Sequence, residues 1–108
     1  MAAGDWKDLL DAAQRGDLDL VRYHINQGVN PNYQHPELLT TPLIESVEFE
    51  QIEVAKFLLE NGADASIPAG FSTETALKVA KRKQHKDLIK LLKQYQKKPF
   101  WKFWASQR

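Results

Sequence analysis

Cysteine is absent from all 108 residues, which excludes disulfides, thiolate metal sites and cysteine nucleophiles. No run of about 18 apolar residues occurs, so no segment is expected to cross a membrane as a helix. The opening Met1-Ala2-Ala3-Gly4-Asp5-Trp6 meets charge too early for the apolar stretch of a secretory signal, and the expected compartment is the cytoplasm. The three histidines, His24, His35 and His85, are far apart and share no metal-ligand spacing. Neither a glycine-rich phosphate loop nor a Gly-x-Ser-x-Gly turn is present. Carboxylate pairs such as Asp17/Asp19 and Glu48/Glu50 read more simply as helix-start and surface charges. Catalysis needs a nucleophile or an acid–base pair beside an oriented partner. None is legible, so the chain is expected to be non-enzymatic, with no cofactor and no metal.

What is present is the composition of an ordinary globular protein, 43% hydrophobic and 27% charged. A chain of this length forms one domain and buries roughly two-thirds of its unfolded surface. The net charge of +1 conceals an asymmetry. Residues 1–67 carry twelve acids against four bases, a net −8, while residues 68–108 carry eleven bases against two acids, a net +9. A molecule so divided attracts opposite charge at each end, including a second copy of itself; a simpler reading is that solvated faces have drifted apart in charge.

The chain repeats itself. Ala12-Ala13-Gln14-Arg15-Gly16-Asp17-Leu18-Asp19-Leu20-Val21 aligns with Ser46-Val47-Glu48-Phe49-Glu50-Gln51-Ile52-Glu53-Val54-Ala55 at a shift of 34 residues. Gly28 and Gly62 stand the same 34 apart, and Thr41-Pro42-Leu43 returns at that shift as Thr75-Ala76-Leu77. A fixed period of this size marks stacked supersecondary units. Each unit reads as helix, turn, helix and long loop. In the first, Asp5 can cap a helix bearing Trp6, Leu9, Leu10 and Ala13, at helical spacing. Gly16-Asp17 interrupts it, Asp17 caps a second helix with Leu18, Val21 and Ile25 on one face, and Gly28 ends that helix. The second unit starts with Thr41 as cap and Pro42 in the first turn, where a missing donor costs nothing. It carries Leu43, Ile44 and Val47, turns near Glu50, and continues through Ile52, Val54, Ala55, Leu58 and Leu59 to Asn61-Gly62. The third begins near Thr75 with Leu77, Val79 and Ala80, followed by Leu88, Ile89, Leu91 and Leu92, and its last helix can run to Lys97 before Pro99 stops it.

These residues resemble ankyrin repeats. Thr41-Pro42-Leu43, Leu58-Leu59 and Gly62-Ala63-Asp64 match the family pattern most fully; Ala12-Ala13, Gly16 and Gly28-Val29-Asn30 keep it in the first unit, and Thr75, Leu77 and Ala80 in the third. The resemblance covers about residues 5 to 95. Ile44 stands where the family usually has histidine, both loops make the period one residue longer than usual, and the loops lack the usual Asp-x-x-Gly turn. The implied fold is an all-α solenoid of about three stacked helix-turn-helix repeats with long loops, the units covering about 5–38, 39–72 and 73–98. Residues 1–98 would form the domain and 99–108 a tail. Leu9, Leu43 and Leu77 are expected in equivalent core roles, as are Ile25, Leu59 and Leu91 or Leu92. His24 falls near a core leucine position and is expected to pack partly buried, His35 to be solvated, and His85 to cap or bridge at a turn.

The resemblance further implies an adaptor or inhibitor that binds a protein, not yet identified, on a concave surface of first helices and loop tips. The variable positions there are Tyr33, Gln34, His35 and Leu38 in the first loop, and Ile67, Phe71 and Ser72 in the second. On the first helices they are Gln14, Arg15, Glu45, Glu48, Phe49, Arg82 and Lys83. Phe49 and Phe71 can be binding anchors or can simply cover the edge of the core.

The segment Lys97-Lys98-Pro99-Phe100-Trp101-Lys102-Phe103-Trp104 sets four aromatics among three lysines. It can fold back and seal the last repeat, lie at an anionic membrane surface as a peripheral module, or dock on a partner or a second copy. Single-stranded nucleic acid also suits such a pattern, but the acidic remainder of the chain repels a long phosphate backbone and argues against it.

Overall fold

The structure is a computed structural model that describes residues 5–95. It contains six helices, α1 (Asp5–Arg15), α2 (Leu18–Asn26), α3 (Pro42–Glu48), α4 (Ile52–Glu60), α5 (Ala76–Arg82) and α6 (Lys86–Gln94), and no strand among the described residues. The expected all-α solenoid is what forms. Consecutive helices pair as hairpins; α1 packs on α3 and α3 on α5, while α2 packs on α4 and α4 on α6. The aromatic tail, with Phe100, Trp101, Phe103 and Trp104, lies outside the described residues.

The sequence period is reproduced in the second helices and in the turns before them. Helices α2, α4 and α6 begin at positions 18, 52 and 86 and end at 26, 60 and 94, steps of 34 in both cases. Between the helices of each hairpin the chain passes through one left-handed residue, at Gly16 (φ 76), Glu50 (φ 58) and Gln84 (φ 57). That reversal lets the next amide reach back to a fixed carbonyl: Asp17 donates to Ala12 at 3.0 Å, Gln51 to Ser46 at 2.7 Å and His85 to Ala80 at 3.1 Å. Those three acceptor residues are small and fully buried, so the turn closes against the interior of the stack. At Gly16 a side chain is also barred sterically, because a Cβ there would run into the Gln51 carboxamide, which donates to the Gln14 carbonyl at 2.9 Å.

Side chains close the starts of α2, α3, α5 and α6. Asp17 accepts from the Leu20 amide at 3.2 Å, Thr41 from Ile44 at 3.2 Å, Thr75 from Lys78 at 3.4 Å and His85 from Leu88 at 3.2 Å. Each satisfies one amide that lacks an intrahelical acceptor. Past the second helices of the first two units, Val29 donates to His24 at 3.1 Å and Ala63 to Leu58 at 2.9 Å across Gly28 and Gly62.

One continuous core joins the units, built from Leu9, Val21, Leu43, Val47, Val54, Leu58, Val79, Leu88 and Leu92 with buried alanines between them. His24, Leu58 and Leu92 share one register, so the buried His24 occupies a leucine site, as expected. Four expectations need correction. Leu77, equivalent in register to Leu9 and Leu43, is only partly buried, because no further repeat among the described residues covers it. Ile25 is likewise only packed against the core edge, whereas Leu59 and Leu92 are buried. Helix α6 stops at Gln94 with Tyr95 as its cap, short of Lys97. It ends two residues beyond Leu92, just as α4 ends two residues beyond Leu58. Asp5 is itself helical, within α1, rather than a cap preceding it.

The loops repeat as well. Asn30 accepts from the Asn32 amide, and Asp64, one period later, from the Ser66 amide, both at 2.9 Å. Leu39 (φ 52) donates to His35, and Thr73 (φ 58) to Ala69, both at 2.8 Å. Neighbouring loops are stitched together: Gly70 donates to the Leu39 carbonyl at 2.8 Å, Gln34 to the Pro68 carbonyl at 2.9 Å, and the Asn32 carboxamide bridges the Gly62 carbonyl and the Asp64 amide at 2.9 and 2.7 Å.

Candidate functional site

Stacking α1, α3 and α5 sets the variable positions of successive first helices beside one another, because residues one period apart become neighbours. Glu48 and Arg82 are such a pair. The Arg82 Nη2 donates to Glu48 Oε1 at 2.8 Å, Lys83 Nζ lies 3.3 Å from Glu48 Oε2, and Arg82 also holds Glu74 through Nε and Nη2 at 3.1 and 3.2 Å. The hydrogen bond from Arg82 holds the Glu48 carboxyl below the usual carboxylate range, against a partial loss of hydration and with help from Lys83. Glu74 first, and then Glu48, push the Arg82 guanidinium above its ordinary value. A second bridge joins α1 to α3: Gln14 Nε2 donates to Glu45 Oε1 at 2.6 Å, and the Thr40 hydroxyl donates to Glu45 Oε2 at 2.9 Å. Arg15 pairs within its own unit, with Asp11 at 2.9 Å and Asp17 at 3.8 Å.

The aromatic and apolar positions stay open. Phe49, at the C-terminal cap of α3, is 51% exposed, Leu38 in the first loop 49%, and Phe71 in the second loop 81%. Ile67 is half-buried and its amide closes onto the Asp64 carbonyl at 3.3 Å. Tyr33 is exposed on one side and tilts against the Trp6 ring at 5.6 Å between centroids.

His35 corrects the expectation of a solvated loop histidine. It is half-buried, its ring lies 4.5 Å from Trp6 at an interplanar angle of 20°, and its Nδ1 accepts from the Glu37 amide at 3.1 Å. Trp6, Tyr33 and His35 therefore form one aromatic group that ties the start of α1 to the first loop. His85 behaves as expected, capping α6.

Sequence reasoning overlooked Trp6 as part of this face, and its only signal was the isolated large aromatic in the first turn of α1. It also overlooked Tyr23, 57% exposed on α2, away from the first helices. Among the described residues no group of three or more histidines and carboxylates could hold a metal ion, and no helix is long and apolar enough to cross a membrane.

The family model for ankyrin repeats, in three copies, matches residues 9–100. The chain belongs to the ankyrin-repeat family. It is 41% identical over 68 residues to human DNA-binding protein RFXANK, covering 63% of this chain and 26% of that protein. It is 38% identical over 56 residues to human 2-5A-dependent ribonuclease, covering 52% of this chain and 8% of that protein. It is also 40% identical over 50 residues to palmitoyltransferase AKR1 of Lachancea kluyveri, covering 46% of this chain and 7% of that protein. The chain thus spans about a quarter or less of the length of these relatives. Ankyrin repeats are an interaction fold that generally binds proteins, and the same repeats also stand within proteins named as enzymes.

Proposed function

We propose that this ankyrin-repeat chain is a non-catalytic adaptor or inhibitor that binds a protein on the face formed by α1, α3, α5 and the loop tips. The observation that carries this reading is the division of labour on that face. Its charged side chains Glu45, Glu48, Arg82 and Lys83 already have partners within the chain, whereas Leu38, Phe49 and Phe71 are left open to solvent. Paired charges keep the face soluble and in register, and the exposed apolar groups are what a partner can cover at a gain of about 1.5–3 kcal/mol for each one fully buried. The partner that fits presents apolar side chains among hydrogen-bonding groups.

Nucleic acid fits less well, although one relative is named a DNA-binding protein. Residues 1–67, which carry Phe49 and the first loop, have a net charge of −8, and a phosphate backbone needs cationic groups to displace its counterions.

Photo-crosslinking separates this face from the rest of the surface. A benzophenone side chain placed at Phe49 or Phe71 is expected to give protein adducts in cells, while the same group at Glu53 on α4 gives none. Adducts from Glu53 alone would overturn the assignment of the face.

A further inference from the structure

We propose that the last repeat is completed by the chain's own C-terminal segment: the aromatic stretch Phe100–Trp104 docks in a groove at the C-terminal end of the stack. The groove has a volume of about 390 Å³ and is lined by Ala63, Ala65, Leu77, Leu92 and Tyr95, with Asp64, Ser66 and Thr75 at its polar parts. That volume lies within the roughly 300–1,000 Å³ of pockets that accept bulky organic groups, and it suits aromatic side chains.

Register explains why the groove is there. Leu9 and Leu43 are sealed by the unit that follows each of them, and both are almost fully buried. Leu77 stands one further period along, with no further unit among the described residues to cover it, and is only partly buried. A repeat end of this kind needs a cover, since each unit gains its stability from its neighbour.

Chain continuity names the occupant. Helix α6 ends at Gln94, and its cap, Tyr95, is itself a wall of the groove. Phe100 follows five residues later and Trp104 nine, so an extended chain reaches roughly 17 to 30 Å from Tyr95, enough to cross the groove. A short tether also raises the local concentration of the segment to the millimolar range, ahead of any second copy or lipid surface.

The test uses the full chain labelled with 5-fluorotryptophan, whose three fluorine signals report Trp6, Trp101 and Trp104 separately. Lys93→Cys, the sole thiol in a chain without cysteine, carries a nitroxide spin label on the exposed side of α6, next to Leu92 but outside the groove lining. The expected result is that the label broadens the Trp101 or Trp104 signal severalfold more than that of Trp6, at every protein concentration. F100S/F103S, which alters no described helix, is expected to abolish the broadening with helix content unchanged. Three results would overturn the proposal: sharp tail signals in the monomer, broadening that grows with protein concentration as a second copy would require, or burial of the tail tryptophans only on adding vesicles of anionic phospholipid.

Discussion

Arg82 on α5 donates to Glu48 on α3 at 2.8 Å, across one full repeat of 34 residues. The pair shows how a solenoid turns sequence period into side-chain contact. It also gives a pH signature. Because the Glu48 carboxyl is held below its ordinary value, its contribution to stability is fully present above the unfolded value of about 4.3 and fades as pH falls through the lower folded value. Both partners are substantially solvent-exposed, so the contribution is about 1 kcal/mol or less. Urea denaturation of E48Q against the parent chain should show that difference at pH 7 and none near pH 2. A difference that persists in acid would assign the effect to packing.

Leu43 and Leu58 sit in the middle hairpin and are essentially buried. Truncating either to alanine is expected to cost about 2–5 kcal/mol through lost burial and the cavity left behind. Phe71→Ala, on the open second loop, is expected to change stability by no more than about 0.5 kcal/mol. Parallel urea titrations check this contrast, and equal midpoints for L58A and F71A would contradict the assigned core.

The left-handed turn residues make a reciprocal pair of predictions. Gly16→Ala must adopt φ 76 and displace the Gln51 carboxamide, and should destabilise the chain by at least about 1 kcal/mol. Glu50→Gly at the same place in the second unit removes the cost of a side chain at φ 58, and should stabilise it by about 0.5–1 kcal/mol. Thermal melting of the two variants decides the matter, since shifts of the same sign are incompatible with a shared turn geometry.

Thr41 is a buried cap whose hydroxyl oxygen accepts from the Ile44 amide at 3.2 Å. Thr41→Ala leaves that amide without its acceptor and is expected to cost about 0.5–2 kcal/mol. Thr75→Ala, at the longer and exposed bond of 3.4 Å, should cost less. The two denaturation midpoints, measured side by side, test that ranking.

Much of this was legible because the period is written in residues with one conformational meaning. Gly16, Gly28 and Gly62 mark left-handed positions, and Thr41, Thr75 and Asp17 mark helix starts. The exceptions are instructive. Glu50 and Gln84 adopt the Gly16 conformation without being glycine, because the hairpin on either side fixes the turn. The contact of Trp6 with His35 spans 29 residues and belongs to no repeat register, so no spacing announces it. The partial exposure of Leu77 could not be read from its type or position, which are those of a core leucine; it follows from having no further unit beside it among the described residues. The stop at Gln94 was hidden for a related reason: polar residues favourable to helix continue to Lys98, while the packing that sustains the helix ends near Leu92.

The central claim is that three hairpins share one core and stand or fall together. Amide hydrogen exchange on L43A, compared with the parent chain, measures this directly. The account predicts that protected amides in α1, α2, α5 and α6 lose protection along with those of α3 and α4, since among the described helices the outer hairpins make their main contacts with the middle one. If α1 and α2, or α5 and α6, keep the parent's protection while α3 and α4 open, the hairpins are independent and the claim fails.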